Sequence, residues 1–300
     1  MTTSNQMVQQ KMPFSVAVNT PSMQKLIANA LHDPARCARF TASIVSAVSV
    51  NQALQNCDRN TVISGALLGE SLNLSPSPQL GQYYLVPFNN KKKGIQDAQF
   101  VLGYKGYVQL ALRSGQYKSI NVEIVKQGEY KGRDPMTGDP RFQFLEDDDE
   151  WERLPVIGYM ASFEYLNGFR KVLYWSKEKM MNHADRYSAA FSRKAYENLI
   201  SGNIPQGEMW KYSSFWYKDF DSMAKKTMLR QLISKWGIMS VDMQVAYESD
   251  SRVIDETESG QLVPQVEEES PQQIEQPQAE QAVEVQPAAA EPKKIDLSSL

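Results

Sequence analysis

The chain has 300 residues, two cysteines and a formal net charge of -3 at neutral pH. Two cysteines exclude a disulfide framework, and neither a run of about 18 apolar residues nor a charged-then-apolar leader is present. We therefore expect a cytoplasmic protein with free thiols and no membrane partner. Residues 251–300 hold eleven acidic and three basic residues, which leaves residues 1–250 with a net charge of +5. A mildly basic body allows a nucleic-acid partner without requiring one.

Composition divides the chain into three parts. Residues 1–19 are polar and are predicted to be a flexible N-terminus. Residues 20–250 contain nearly all the aromatic residues and are predicted to form one domain. Residues 251–300 lack aromatic residues and are rich in Gln, Glu, Pro and Ala. Such a segment buries too little apolar surface to offset the loss of chain entropy, so we predict a disordered acidic tail.

The first half of the domain changes from helices to strands. Apolar spacing and the Thr20-Pro21-Ser22 start signal predict a first helix, followed by helices over Ala35–Val50 and Thr61–Leu72. Two β-rich runs, Tyr83–Phe88 and Ala98–Tyr104, then enclose a basic loop and predict a long hairpin.

The second half returns from strands to helices. A helix is predicted over Lys105–Ser114, and alternation from Ile120 to Ile124 indicates a half-buried strand. The runs Val156–Tyr165 and Phe169–Trp175 are joined through Leu166-Asn167-Gly168, and the Asn-Gly pair favours a tight hairpin turn because both residues tolerate positive φ. One long helix is predicted to end at Trp236. The order of elements predicts an α+β fold with a helical N-terminal region and a meandering antiparallel sheet packed by helices.

The motifs of common enzymes are missing from the sequence. No phosphate-binding loop of the G-x-x-x-x-G-K-[ST] type is present, and neither the histidines nor the cysteines have metal-ligand spacing. The acidic run Glu146–Glu150 lacks the glycine of a calcium loop, so a solvated loop is the favoured interpretation. We therefore expect a binding protein without a cofactor rather than an enzyme.

The segment from Trp216 to Trp236 combines many apolar residues with cations on one predicted helix. Its apolar residues cover most of the helix circumference, which predicts a largely buried helix. The same helix contains Lys225, Lys226 and Arg230, and buried cations without partners are costly. Either carboxylates pair with these cations, as Asp221 could pair with Lys225, or the cations line a groove that holds a polyanion.

Bases and aromatic residues are mixed at three places in the sequence. The first is Lys91–Lys93 at the predicted hairpin tip, the second combines Tyr104, Lys105 and Arg113, and the third runs from Lys211 to Arg230. Proteins that bind single strands without reading sequence combine a basic groove with aromatic platforms for the bases. Each cluster alone is weak evidence, because aromatic residues also lie beside basic residues in ordinary cores.

Several motifs, in a consistent order, give the chain a resemblance to a known family. They are Asn56-Cys57-Asp58, Tyr84–Phe88, Leu102–Gly106, Leu110–Gly115, Asp221–Leu232 and Met239–Asp242. With these motifs the chain resembles the RecT family of phage single-strand DNA annealing proteins over about residues 21–246. The family often has a glycine where this chain has Asn73, and asparagine also tolerates left-handed backbone geometry.

The resemblance implies an α+β protein that binds single-stranded DNA without ATP, oligomerises on it and anneals complementary strands in phage-type recombination. It implies two further partners, a 5′-to-3′ exonuclease and the host single-strand binding protein. By position in the motifs, the expected DNA contacts are Tyr104, Lys105, Arg113, Lys225, Lys226 and Arg230. The acidic tail is expected to compete with DNA or to dock partners, so deletion of residues 251–300 should leave single-strand binding unchanged or tighter.

Three alternatives to this interpretation remain open. A protector protein of the OB-fold kind would bind without annealing, but its sequence should consist mostly of short strands. A metal-dependent nuclease would use Glu146–Glu150. A structural oligomer would pair the basic residues of the last helix with Asp219, Asp221 and nearby acids.

Overall fold

The computed structural model describes residues 12–90, 93–256 and 261–265, and these residues form a mixed α+β structure. The helices are α1 Phe14–Ala17, α2 Pro21–Leu31, α3 Pro34–Val50, α4 Arg59–Ser71, α5 Tyr104–Arg113, α6 Asp148–Arg153, α7 Lys177–Tyr187, α8 Arg193–Ile200, α9 Phe215–Lys218, α10 Phe220–Trp236 and α11 Val241–Ser249. The strands are β1 Tyr83–Asn90, β2 Ile95–Leu102, β3 Tyr117–Lys126, β4 Tyr130–Arg133, β5 Pro140–Phe142, β6 Val156–Tyr165, β7 Arg170–Ser176, β8 Arg252–Glu256 and β9 Leu262–Pro264. The predicted α+β class is confirmed.

The N-terminal helices pack around α4, whose residues 61–69 are all buried. The Asp58 side chain begins α4 by accepting the backbone N–H groups of Asn60 and Thr61. The predicted flexible N-terminus is wrong for its described part. Phe14 and Val18, in and next to α1, are 5% and 1% exposed and belong to the main core, because burying their side chains offsets the entropy lost on ordering. Residues 1–11 lie outside the described residues.

The first sheet has the strand order β1-β2-β8-β9, and all its pairs are antiparallel. It extends the structure beyond the predicted boundary at residue 250. Gln99 pairs with Val253 and Phe100 pairs with Arg252, and both Val253 and Ile254 are buried. This short apolar segment joins the sheet because the edge of β2 satisfies its backbone groups. The predicted disorder of residues 266–300 falls outside the described residues.

The second sheet has the order β3-β6-β7, with antiparallel pairs throughout. The hairpin between β6 and β7 is confirmed, and only one residue of its Asn-Gly pair has a positive φ. Gly168 has φ of 85°, whereas Asn167 does not have a positive φ. The Asn167 side chain instead accepts the backbone N–H of Phe169, so this loop needs only one residue in the left-handed region. The remaining pair, β4 with β5, forms a separate two-stranded sheet.

The long C-terminal helix is interrupted at Asp219, so the prediction of one continuous helix is wrong. Asp219 has φ of -151° and ψ of 75°, and its side chain accepts the backbone N–H of Ser222. This N-cap begins α10 and separates it from α9, because the capping geometry is not helical. The helix α10 packs on β3, β6, β7 and α5, which explains its many buried residues.

Candidate nucleic-acid interface

The three cations of α10 have two different environments. The Lys225 side chain is 22% exposed, and its Nζ is 3.7 Å from Glu123 and 5.8 Å from the centre of the Tyr104 ring. The carboxylate beside Lys225 is therefore Glu123, whereas the sequence suggested Asp221, whose carboxylate instead accepts the Tyr159 hydroxyl at 2.6 Å. Lys226 is buried, Arg230 is partly exposed, and the two share one buried carboxylate.

That carboxylate belongs to Asp250, which lies between α11 and β8 and has no exposed side-chain surface. Lys226 Nζ is 2.8 Å from Oδ1, and an Arg230 guanidinium nitrogen is 2.6 Å from Oδ2. The backbone N–H of Leu102 donates to Oδ1 at 3.0 Å, and the Tyr107 hydroxyl lies 3.4 Å from Oδ2. The three side chains of Lys226, Arg230 and Asp250 are called the buried triad below.

The electrostatics of the buried triad follow from its geometry. Burial alone would raise the pKa of Asp250, but Lys226 and Arg230 outweigh that effect and hold the pKa below its usual range. Two cations and one carboxylate leave a net charge of +1, and Arg230 is 29% exposed whereas Lys226 is 8% exposed. The Arg230 guanidinium also lies 4.4 Å from the centre of the Tyr247 ring. Lys226 is therefore unavailable to an external ligand, and Arg230 only partly available.

A second group of side chains forms an accessible aromatic and basic surface. It consists of Tyr84, Tyr104, Lys105, Phe215 and Lys225, and is called the Tyr104 patch below. The rings of Tyr84 and Phe215 are 5.1 Å apart, and Phe215 is 38% exposed. Lys105 is exposed, while Tyr84 and Tyr104 are half-buried. Partial burial, followed by the charge of Asp219, raises the pKa of both tyrosines, so their rings remain neutral at physiological pH.

Two glycines allow the elements that carry the Tyr104 patch to approach one another. A Cβ at Gly103 would lie 2.1 Å from the carbonyl oxygen of Gly81, and one at Gly106 would lie 2.2 Å from that of Gln82. These distances exclude any side chain, so the first turn of α5 can rest on the two residues before β1 only because both positions are glycine. Tyr104 and Lys105 consequently occupy the N-terminal end of α5, where the helix dipole favours an anion.

Arg113 lies at the other end of α5, eight residues or about 12 Å from Lys105 along the helix. Its guanidinium donates to the backbone oxygens of Leu72 at 2.7 Å and Asn73 at 3.4 Å. Asn73 has φ of 50°, as its place in the motif predicted. Arg113 therefore satisfies carbonyl groups at the end of α4 and remains exposed.

The six residues predicted from the sequence thus fall into three places. Tyr104, Lys105 and Lys225 share the Tyr104 patch, Lys226 and Arg230 belong to the buried triad, and Arg113 lies apart from both. Sequence reasoning missed Asp250, because the residue lies outside every cation cluster and only the fold brings it to α10. It also left out Tyr84 and Phe215, although both lie in segments that had been noted for their aromatic residues.

Within residues 12–90, 93–256 and 261–265, no group of three or more His, Cys, Asp or Glu side chains is arranged to hold a metal ion. In the same ranges no helix has the length and apolar character needed to cross a membrane.

The chain matches the RecT family over residues 38–272, and it belongs to that family. The family comprises DNA recombination proteins that bind and anneal single strands. Two relatives illustrate the similarity. The uncharacterized protein YqaK of Bacillus subtilis (strain 168) is 39% identical over 76% of this chain and 67% of its own length. Protein RecT of Escherichia coli (strain K12) is 28% identical over 78% of this chain and 79% of its own length.

Proposed function

We propose that the chain binds single-stranded DNA through the Tyr104 patch and anneals complementary strands in recombination without ATP. The observation that carries this proposal is one surface that combines exposed Phe215 and Lys105 with the partly exposed side chains of Tyr84, Tyr104 and Lys225. Cations there neutralise phosphates, and rings receive base faces without reading sequence. The N-terminal end of α5 adds a favourable dipole to the same place.

The proposed annealing mechanism needs no chemical step. Protomers line up along one strand as an oligomer, and the base edges remain open to a second strand. Lys105 and Lys225 contact phosphates at the Tyr104 patch, and exposed Arg113 contacts the strand about 12 Å further along α5. Stacking in a new duplex contributes about 1.4 kcal/mol per base-pair step. Pairing therefore supplies the driving force, and we class the protein as a binding protein without a catalytic residue, cofactor or bound metal.

The buried triad receives a supporting role in this proposal. Lys226 and Arg230 hold α10 against α5 and β8 through Asp250, and α10 in turn presents Lys225 to the Tyr104 patch. This role replaces direct phosphate contact for Lys226, whose ammonium is buried and occupied. Arg230 contributes its partly exposed guanidinium to the positive charge of the domain.

The proposal includes two partners and a cytoplasmic location. A 5′-to-3′ exonuclease would expose the strand on which the protein acts, and the host single-strand binding protein would occupy competing DNA. Both would be met in the cytoplasm. Co-purification of the tagged full chain with each candidate, with and without nuclease treatment, separates protein contacts from contacts that DNA bridges.

The proposal is tested by mixing complementary fluorescent oligonucleotides with the full chain in the absence of ATP. The informative variant is Tyr104→Ala with Lys105→Ala, because both side chains reach solvent and neither belongs to the buried triad. Lys194→Ala is the matched control, since Lys194 is an exposed lysine on α8. We expect annealing by the wild type and the control, and loss of annealing by the double variant at a temperature where circular dichroism shows that it remains folded.

Other outcomes have distinct meanings. Binding of single strands without annealing would support a protector protein in place of an annealing protein. Magnesium-dependent loss of a labelled strand would indicate a nuclease. Normal annealing by the double variant would remove the Tyr104 patch as the DNA surface.

A further inference from the structure

The three-stranded sheet ends in two exposed surfaces of different character. Its central strand β6 has ten residues and spans about 30 Å. At the C-terminal end of β6, the turn around Leu166 leads into β7. At the N-terminal end, Val156 follows directly after α6 and Pro155. The two surfaces are therefore separated by the full length of the sheet.

Four exposed apolar side chains gather at the turn between β6 and β7. They are Leu166 at 70%, Phe169 at 45%, Trp236 at 49% and Ile238 at 46% exposure, and are called the hairpin-tip patch below. The Tyr165 hydroxyl brings the two segments together, because it donates to the backbone oxygen of Trp236 at 2.9 Å and accepts the N–H of Ile238 at 2.6 Å. Exposed apolar groups this close together mark an interaction surface.

Cations surround the hairpin-tip patch. Lys171 Nζ lies 4.9 Å from the centre of the Trp236 ring and 3.6 Å from Asp139. Arg170 and Lys235 are exposed, and neither forms a salt bridge within the part of the chain that the structure describes. Asp139 offsets Lys171, so the net positive charge of the rim comes from Arg170 and Lys235. A complementary partner must combine apolar and acidic groups.

The opposite end of the sheet has that composition. Asp148, Asp149 and Glu150 form the exposed first turn of α6, and Phe144 nearby is 46% exposed. The helix is held in place by buried Lys126, whose Nζ donates to the backbone oxygen of Leu154 at 2.8 Å. Phe144 and residues 146–150 are called the α6 end below.

We propose that the hairpin-tip patch of one copy docks on the α6 end of the next copy. Contact between two hairpin-tip patches would place basic rims against each other, so charge disfavours a two-fold dimer. Contact between the hairpin-tip patch and the α6 end pairs opposite charges and buries Phe169 and Trp236 against Phe144. Because the two surfaces lie at opposite ends of β6, the contact repeats head to tail and builds an array. The inference rests on the proposed function for its setting, since such an array can follow a DNA strand.

A charge-exchange experiment on the full chain tests the contact. One variant, Arg170→Glu with Lys235→Glu, reverses the tip, and another, Asp148→Lys with Asp149→Lys, reverses the α6 end. A third carries all four changes. Lys25→Glu with Lys194→Glu makes the same charge change as the tip variant at exposed sites on α2 and α8, and is the control. Sedimentation velocity gives the association constant of each variant without DNA and with a long oligonucleotide.

We expect each reversal alone to lower the association constant about tenfold or more, and the four-site variant to regain most of it. The control should associate like the wild type. An unchanged association constant for either charge-reversed variant, or no recovery in the four-site variant, would overturn the proposed contact. The hairpin-tip patch would then bind a different partner. Binding to an oligonucleotide that holds one chain should persist in the α6-end variant, so failure of the array and failure of DNA binding are distinguishable.

Discussion

Replacement of Asp250 by alanine should be among the most destabilising single changes in the chain. The substitution leaves Lys226 and Arg230 close together without their carboxylate, and Lys226 is buried. It also removes the acceptor for the backbone N–H of Leu102. Breaking one partner out of a buried ion pair costs about 3–5 kcal/mol, because an uncompensated charge remains in the interior.

The expected loss can be measured as a melting temperature. For a domain of this size each 1 kcal/mol shifts the melting temperature by about 2–4 °C, so Asp250→Ala should melt about 6–20 °C below the wild type. Differential scanning fluorimetry at neutral pH provides the measurement, and urea unfolding provides an independent free energy. Asp255→Ala, at a half-buried acidic residue of the neighbouring strand β8, is the matched control and should melt near the wild type.

A compensating variant tests whether the lost stability comes from the unpaired charges of Lys226 and Arg230. Asp250→Ala combined with Lys226→Met and Arg230→Met removes all three charges, and an apolar replacement of a buried ionic cluster is often neutral. This variant should regain most of the lost stability. A melting temperature within about 2 °C of the wild type for Asp250→Ala alone would refute the buried triad as a coupled ionic cluster.

Three further predictions concern pH, DNA and the tail. The pKa of Asp250 is lowered in the folded protein, so the stabilisation that its carboxylate provides is present above a pH of about 4 and is lost as the pH falls through the folded pKa. The difference in unfolding free energy between the wild type and Asp250→Ala should therefore become smaller only in acid. Lys105→Ala should lower the slope of log affinity against log salt for single strands by about 0.7, in fluorescence anisotropy titrations, whereas an unchanged slope would exclude a phosphate contact. Truncation after Gln265 should preserve the melting temperature and leave single-strand binding unchanged or tighter. Truncation after Asp250 should unfold the protein, because it removes buried Val253 and the rest of β8. Equal melting temperatures for the two truncated chains would show that β8 does not stabilise the fold.

The sequence by itself determined the class of the fold and most of the elements. Periodicity located α2, α3, α4 and α5 to within a few residues, because each buries one face or more and begins at a capping or turn residue. The hairpin of β6 and β7 was also predicted correctly, because two β-rich runs surround an Asn-Gly pair. The motifs also gave the family, which residues 38–272 match.

Local signals failed where distant parts of the chain decide the outcome. Nothing in the sequence around Phe14 or Val253 shows that each fills a core position, since both segments are short and their partners lie far away in sequence. The break at Asp219 was missed because an aspartate inside a helical pattern can face solvent or cap a new helix, and only the packing selects between them.

The functional residues divide in the same way. The sequence identified the cations of α10 and posed the choice between a carboxylate partner and a polyanion. Tertiary structure made that choice by bringing Asp250 to Lys226 and Arg230, across 24 and 20 residues of chain. It also gathered Tyr84, Tyr104 and Phe215 from three elements into one surface. Residue types and their spacing along a helix or strand are local properties, whereas the partner of a buried charge and the composition of a surface depend on how the elements pack.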